Sequence, residues 1–325
     1  MIWCCPRCRG ALDPRDDQVQ CRRCSASYPS IAGIPDLRLA RSPAIEQDTQ
    51  QARWLIAERP HATAAECVQH IFGYRSAWSA ERIALRMGQV AAAPGRLRTD
   101  LRGWLRPCLA GDTPFLDVGC GPGMLQAAAA MEGQTAIGID ISMAFLVVAQ
   151  RLIAEHGGRP VLAAARAEAL PLLDAAVPAA ISLDVIEHVD DPVPYLRELD
   201  RVIRPGGWLA LTMPNRYSLS AEPHVSVWGV GWLPRAWQPR YVSWRTGEPY
   251  DDTRLLSSWE VRRLLRQHTR VAAEIQIPPV PDEEIAHFPS YRVRLARLYN
   301  RLAREPLTRP LFLGVGPFFR VIGQK

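Results

Sequence analysis

The period of the apolar positions changes once along the chain, near residue 114. Before that point, residues 44–107 are rich in Ala, Arg and Glu. The runs Ser79 to Val90 and Arg96 to Leu105 place apolar residues three and four apart, the spacing of one helix face. Pro94-Gly95 between them predicts a break. After residue 114, short apolar runs alternate with longer amphipathic ones. Phe115 to Val118, Ala136 to Ile139, Pro160 to Ala164, Ala179 to Leu183 and Trp208 to Met213 read as buried strands. Met124 to Glu132, Ala144 to His156 and Val193 to Ile203 read as helices, the last closed by Arg204-Pro205-Gly206-Gly207. Beyond Met213, an insertion over residues 214–257 precedes a predicted helix from Ser258 to Gln267. Strands at Val271 to Ile277 and Phe318 to Gly323 then bring the total to seven. Strands alternating with helices predict an α/β fold, a mostly parallel sheet with helices on both faces. The expected division is residues 1–40, a helical region 41–107 and a sheet domain 108–325, with insertions at 214–257 and 278–312.

Composition adds limits. A chain of 325 residues allows about two domains and a core that needs no disulfide staples. Hydrophobic content of 48% and charged content of 22% are ordinary for a globular protein. No stretch approaches the ~20 uninterrupted apolar residues of a membrane span. The start, Met1-Ile2-Trp3-Cys4-Cys5-Pro6, has no basic region followed by an apolar run. A cytosolic, cytoplasmic protein with reduced thiols is therefore expected. The net charge of +6 is compatible with RNA or an anionic lipid surface without demanding either. Lys325 is the only lysine, an arginine bias that points to coding-sequence composition more than to nucleic-acid binding.

Cysteine spacing carries the first chemistry. Cys5-x-x-Cys8 is followed, after a spacer of twelve residues, by Cys21-x-x-Cys24. Each pair forms a tight turn aiming both sulfurs at one point, and two such turns supply the tetrahedral four-sulfur shell that Zn²⁺ favours. Gly10 sits where the knuckle calls for a residue free to take positive φ. Cys4 is an alternative to Cys5 as a ligand; Cys67, Cys108 and Cys120 are isolated and expected to be unliganded. With Leu12, Tyr28-Pro29 and Gly33-Ile34-Pro35-Asp36-Leu37, this stretch resembles the Trm112-like zinc ribbons over about the first forty residues. In that family the ribbon is usually structural and is often a partner or appendage of methyltransferases.

The second chemistry starts at Asp117-Val118-Gly119-Cys120-Gly121-Pro122-Gly123, between a predicted strand and helix. The glycines let the backbone turn sharply and approach a ligand closely. Asp140 closes the next strand, where a carboxylate can accept both ribose hydroxyls of a nucleoside; its other reading is a helix cap, which Ser142 can also supply. Nicotinamide and S-adenosylmethionine cofactors both fit this geometry. Four strings occur in order: the Asp117 glycine loop, Ala167-Glu168-Ala169-Leu170-Pro171, Asp184-Val185-Ile186-Glu187-His188-Val189, and Leu199 through Arg204-Pro205-Gly206-Gly207. Together they resemble the class I S-adenosylmethionine-dependent methyltransferases of the ubiquinone/menaquinone-biosynthesis type, over about residues 112–213. The resemblance implies a Rossmann-like sheet whose last strand is antiparallel. It also implies that Gly119, Gly121 and Gly123 lie against the methionine and ribose, Asp117 near the amino group and Asp140 on the ribose. Ile141, Ala167, Glu168 and Asp184 are implied as further cofactor residues. Such proteins commonly have an acid two residues before Glu168 to meet the adenine amino group; here the residue is Arg166.

A hydroxyl acceptor would need its proton removed, and histidine is the usual base near neutral pH. His188 follows the fourth predicted strand and His224 lies on the insertion; each is a candidate base or a structural residue, and Asn215 a candidate to orient the acceptor. The insertion carries Trp228, Trp232, Trp237 and Trp244 among Arg235, Arg240 and Arg245. Such faces stack on sugars, nucleobases or isoprenoid tails, or else pack as a lid. Tyr291 to Arg304 reads as a basic amphipathic helix, with Tyr291, Leu295, Leu298, Tyr299 and Leu302 on one face. It fits an anionic membrane surface, RNA, or docking on the core. The leading expectation is O-methylation of a small-molecule, glycan or lipid-linked acceptor. An RNA or tRNA methyltransferase and a non-catalytic ribbon-based interaction protein are the alternatives.

Overall fold

The computed structural model describes residues 2–39, 42–73, 80–109, 113–280, 285–286 and 289–325. Four short strands open the chain: β1 Leu12–Pro14, β2 Gln18–Cys21, β3 Ser27–Ile31 and β4 Ile34–Pro35. They pair antiparallel in sequence order. Helices α1 Pro43–Glu58, α2 Ala64–Gly73 and α3 Ala80–Arg102 follow. Next come β5 Phe115–Val118, α4 Met124–Met131, β6 Ala136–Asp140, α5 Met143–Glu155, β7 Val161–Ala164, β8 Val177–Leu183, α6 Pro192–Val202 and β9 Ile203–Pro214. Helices α7 Gln238–Thr246 and α8 Ser258–His268 and strands β10 Ala272–Gln276 and β11 Phe318–Gln324 complete the larger pattern, with further helices at Ser290–Leu302 and Arg309–Val315. The seven-stranded sheet has the order β10-β11-β9-β8-β5-β6-β7. Parallel pairing of β5 with both β6 and β8 puts the reversal of strand order at β5, where ligands bind in open α/β sheets.

The chain forms two compact units: Met1–Leu183 with Pro194–Ala210 and Gln324–Lys325, and Asp184–Val193 with Leu211–Gly323. In the first, Asp36 pairs parallel beside Ala164, and the Leu37 N–H donates to the Ala164 carbonyl at 2.7 Å. The chain leaving β4 thus covers β7, an edge that would otherwise expose unpaired backbone groups. The expected break at Pro94-Gly95 does not occur, because α3 runs through it. Proline there removes one backbone bond, but Ala93, Leu97 and Leu101 are buried in one cluster with Leu125, Ala128 and Ala129 of α4. Packing of that face overrides the local preference. Ser79, the start of the run read from sequence, lies outside the described residues. Arg204-Pro205-Gly206-Gly207 belongs to β9 instead of ending a helix. The Gly206 N–H donates to the Lys325 carbonyl at 2.8 Å and the Lys325 N–H to Gly207 at 2.9 Å, so the chain's last residue pairs with this segment.

In the second unit, α8 starts with a reciprocal capping box between Ser257 and Glu260. Helix Ser290–Leu302 is present, but its expected apolar face is not the buried one. Leu295 and Leu298 are exposed and Ala296 is buried. Asn300 explains the rotation: its side chain exchanges two 2.8 Å bonds with the backbone of Val280, while Tyr299 packs edge-on against Phe312. The side chain of Tyr291 lies outside the described residues.

Candidate functional site

The two C-x-x-C turns bring Cys5, Cys8, Cys21 and Cys24 together, all four sulfurs within 4.8 Å of one another. Cys5 Sγ lies 3.7 Å from Cys24 Sγ, and Cys8 Sγ 3.5 Å from Cys21 Sγ. A tetrahedral Zn²⁺ with bonds of about 2.3 Å holds its sulfurs about 3.8 Å apart, so the donor set fits the ion. Cys5 is 3.2 Å from the Tyr28 hydroxyl, and Cys21 Sγ accepts from the N–H groups of Arg23 and Cys24. Burial pushes the Cys21 thiol up, but those N–H groups outweigh it and hold it down at about 6. Cys4 stands apart: its backbone pairs with Ala11 and donates to the Pro171 carbonyl at 2.8 Å. Gly10 is needed for a different reason than expected. Arg9, not Gly10, takes positive φ, whereas a Cβ on Gly10 would sit 2.7 Å from Arg23 Cβ and 3.0 Å from Cys21 Sγ. Cys67, Cys108 and Cys120 are buried free thiols.

After β5 the backbone makes its sharp turn, with φ of 76° at Gly119, 51° at Gly121 and 80° at Gly123. At Gly123 a Cβ would also lie 2.7 Å from Ala149 Cβ, so only glycine lets α4 start this close to α5. Asp140, at the end of β6, accepts from Gly121 N–H and Ser142 N–H, both at 2.8 Å. Each carboxylate oxygen keeps a second lone pair, as two ribose hydroxyls would require. Ser142, not Asp140, caps α5. Burial and the charge of Asp140 push buried Asp117 up to about 8. Ile141 beside Asp140 is 45% exposed, an apolar surface at the sheet edge. Ala167 is half-buried, and Arg166 pairs with Glu168 at 3.2 Å.

Asp184, in the second unit, has a φ of 56°, a left-handed backbone unusual for a residue with a Cβ. Its carboxylate accepts from the Thr212 hydroxyl at 2.9 Å. In the same unit His188 and His224 meet, Nε2 to Nε2 at 3.2 Å. His188 Nδ1 is 3.0 Å from the Asp252 carbonyl, which can only accept, so that nitrogen carries the proton. His224 Nδ1 is 2.5 Å from a Glu222 carboxylate oxygen and donates to it. In the neutral rings both Nε2 atoms therefore present lone pairs to one another. Glu187 Oε1 lies 3.9 Å from His224 Nε2. Glu187 is buried, with no hydrogen-bond partner for either carboxylate oxygen among the described residues. Burial, then the charges of Asp184 and Glu222, push its carboxyl well above the usual range. The three groups offer ligand atoms within 4.8 Å of one another, an arrangement that can hold a shared proton or a cation.

Sequence reading named both histidines but gave no role to Glu187 or Glu222, though each stands within two residues of one of them. Asn215 is not free to orient an acceptor: its Nδ2 donates to the Gly314 and Gly316 carbonyls, and its Oδ1 accepts from Tyr217 N–H. The four insertion tryptophans are not packed as a lid; they are 49–76% exposed. Trp228 and Trp232 are fixed by indole N–H bonds to the Leu219 and Ser218 carbonyls.

Residues 116–211 match the family described as "Methyltransferase domain". The ubiquinone biosynthesis O-methyltransferase of Parvibaculum lavamentivorans is 34% identical over 127 residues, 38% of this chain and 50% of that protein. That of Pseudomonas putida is 40% identical over 115 residues, 34% of this chain and 48% of that protein. The chain thus spans about half the length of the curated relatives it matches. Phosphoethanolamine N-methyltransferase 2 of Haemonchus contortus, solved in complex with S-adenosyl-L-methionine, gives a TM-score of 0.49 at 17% identity, over 90% of this chain and 61% of that one.

Proposed function

We propose that this chain, which carries a class I S-adenosylmethionine-dependent methyltransferase domain over residues 116–211, transfers the methyl group to a hydroxyl oxygen of a small acceptor. Bound S-adenosylmethionine supplies a methyl on a sulfonium, an electrophile that needs alignment and exclusion of water rather than activation. The residues that would hold it are Gly119, Gly121 and Gly123 through close backbone approach, Asp117 toward the amino group and Asp140 on the ribose. Ile141, Ala167, Glu168 and Asp184 would complete the set.

The observation that supports an oxygen acceptor is the His188–His224 contact at 3.2 Å, with each Nδ1 already committed. Two facing lone pairs are relieved by one proton. In this reading an acceptor O–H would give its proton to an Nε2 atom, freeing its oxygen for the methyl group that bound S-adenosylmethionine would supply as its sulfur keeps the bonding electrons. The proton is then held between the rings, with the Glu222 carboxylate fixing His224 and Glu187 beside the new charge. The acceptor is a sugar, glycan, lipid-linked or other small hydroxylated molecule, for which the exposed insertion tryptophans offer stacking faces. Incubating the protein with labelled cofactor and cell-extract fractions tests this; label is expected in a lipid, glycan or small-molecule fraction. Label in RNA instead, with turnover falling steeply as salt rises, selects the RNA reading. His188→Ala and His224→Ala should lower turnover about 100-fold or more in at least one case while cofactor binding survives. If both variants keep full activity, the base assignment is wrong.

A second reading rests on Glu187. The same lone pairs, with a buried carboxylate that has no hydrogen-bond partner among the described residues, form a donor set suited to a divalent cation that would acidify the acceptor hydroxyl. Activity lost on chelation, restored by a divalent cation and insensitive to it in Glu187→Gln selects this reading over the shared proton.

A further inference from the structure

Arg38 and Asp48 lie outside the segment that matches the methyltransferase family, and sequence reading gave neither a role. The Arg38 side chain is fully buried. Its Nε and Nη2 donate to the two Asp36 oxygens at 2.7 and 2.9 Å, and Nη2 also donates to the Thr49 hydroxyl at 2.8 Å. Its Nη1 donates to Asp48 Oδ2 at 3.1 Å and to the Ile141 carbonyl at 2.8 Å. Asp48, on α1, accepts from the Ser142 hydroxyl at 2.5 Å, Met143 N–H at 2.7 Å and Ala144 N–H at 3.4 Å. Asp48 therefore fills the N-terminus of α5 from another helix, satisfying N–H groups that its own turn leaves open.

These bonds converge on one loop. Ser142, held by Asp48, donates its N–H to Asp140, whose other oxygen accepts from Gly121 of the glycine turn. Ile141, held through its carbonyl by Arg38, presents its exposed side chain beside that acid. Asp36, the anchor of Arg38, is fixed next to Ala164, and Ala164 is the register partner of Asp140 across β7 and β6. A merely structural ion pair needs charge balance alone. Here the donors and acceptors are directed at residues 141–144, immediately after Asp140.

We propose that Arg38 and Asp48 are positioning residues for the cofactor's adenosine, so that the tail of the four-cysteine ribbon forms part of the cofactor site. This rests on the reading of Asp140 as the ribose acid. Each charge-assisted bond is worth about tenfold in affinity or more when lost. The test uses the full chain and S-adenosylhomocysteine as the probe, comparing wild type, Arg38→Lys and Asp48→Asn by calorimetry and by steady-state kinetics. Both substitutions preserve size, and Asp48→Asn changes a side chain that is 21% exposed, so a folded variant is expected even if Arg38→Lys fails to fold. The expected result is affinity weakened about tenfold or more, a matching rise in the cofactor's KM, and kcat and acceptor KM within about threefold of wild type. Wild-type affinity in a folded Asp48→Asn overturns the proposal. So does a uniform fall in kcat and in both KM values, the mark of general damage. A wild-type chain that binds no S-adenosylhomocysteine overturns the methyltransferase reading itself and this inference with it, a failure distinct from equal binding by wild type and variants.

Discussion

Asp117 shows how burial sets a single group's chemistry. Its carboxyl is pushed up to about 8, first by burial and then by Asp140, so in the ligand-free protein it is largely protonated at pH 7. A carboxyl whose folded pKa is raised costs stability as pH climbs from its unfolded value toward the folded one. An ammonium placed against it favours the ionised form and drives the proton off. Affinity for S-adenosylhomocysteine should therefore rise between pH 6 and 7.5, by at most about tenfold per pH unit for one released proton. Calorimetry at several pH values checks this, and Asp117→Asn should flatten the dependence. Gly123 is constrained by backbone rather than charge. Gly123→Ala combines a φ of 80° with a 2.7 Å clash against Ala149, so a loss of more than about 1 kcal/mol is expected in denaturant unfolding. The glycines and Asp140 were legible because a strand, a tight turn and a helix specify them within a short stretch. The His188–His224 pair was legible only as two separate candidates, since nothing local says that residues 36 positions apart touch.

At the scale of elements, the strands after residue 114 were legible because buried parallel strands are continuous apolar runs. The misreadings fall where a distant partner outvotes local preference. Pro94-Gly95 is a poor helix pair, yet α3 continues because its buried face packs on α4. Pro94→Ala should restore a backbone donor and raise stability by about 1–3 kcal/mol, visible as a higher midpoint in urea without a changed slope. The helix at Ser290–Leu302 was found by its period, but its orientation was not, because Asn300 and Tyr299 fix it through polar and ring contacts that hydrophobic periodicity does not register. At α8 local and tertiary signals agree, and Ser257→Ala should cost about 1 kcal/mol through loss of the capping box.

At the scale of the molecule, the four-cysteine ribbon is joined to the rest of the first unit by backbone bonds from Cys4 to Pro171 and Leu37 to Ala164, and by the Arg9–Asp174 ion pair. Binding free energy at a site that exists only when folded is folding free energy. One zinc per chain is therefore expected by elemental analysis. Cys21→Ser should lose it and lower the unfolding temperature of the holoprotein, whereas Cys4→Ser should retain it. Zinc retained in the first variant, or lost in the second, would move the site to a different set of sulfurs.

The sequence by itself determined the cluster of four cysteines, the glycine turn with its following acid, and the alternation that makes a parallel sheet. Each is written in residues a few positions apart, where turn geometry and side-chain period act directly. Only the tertiary structure decided that Gly10 is required by crowding and that Asn215 is a staple. It also decided that His188 and His224 face each other beside Glu187, whose carboxylate oxygens have no hydrogen-bond partner among the described residues, and that Asp48 reaches across 94 positions to hold Ser142. Those contacts depend on which elements pack together, and a buried polar group takes whatever partner that packing delivers.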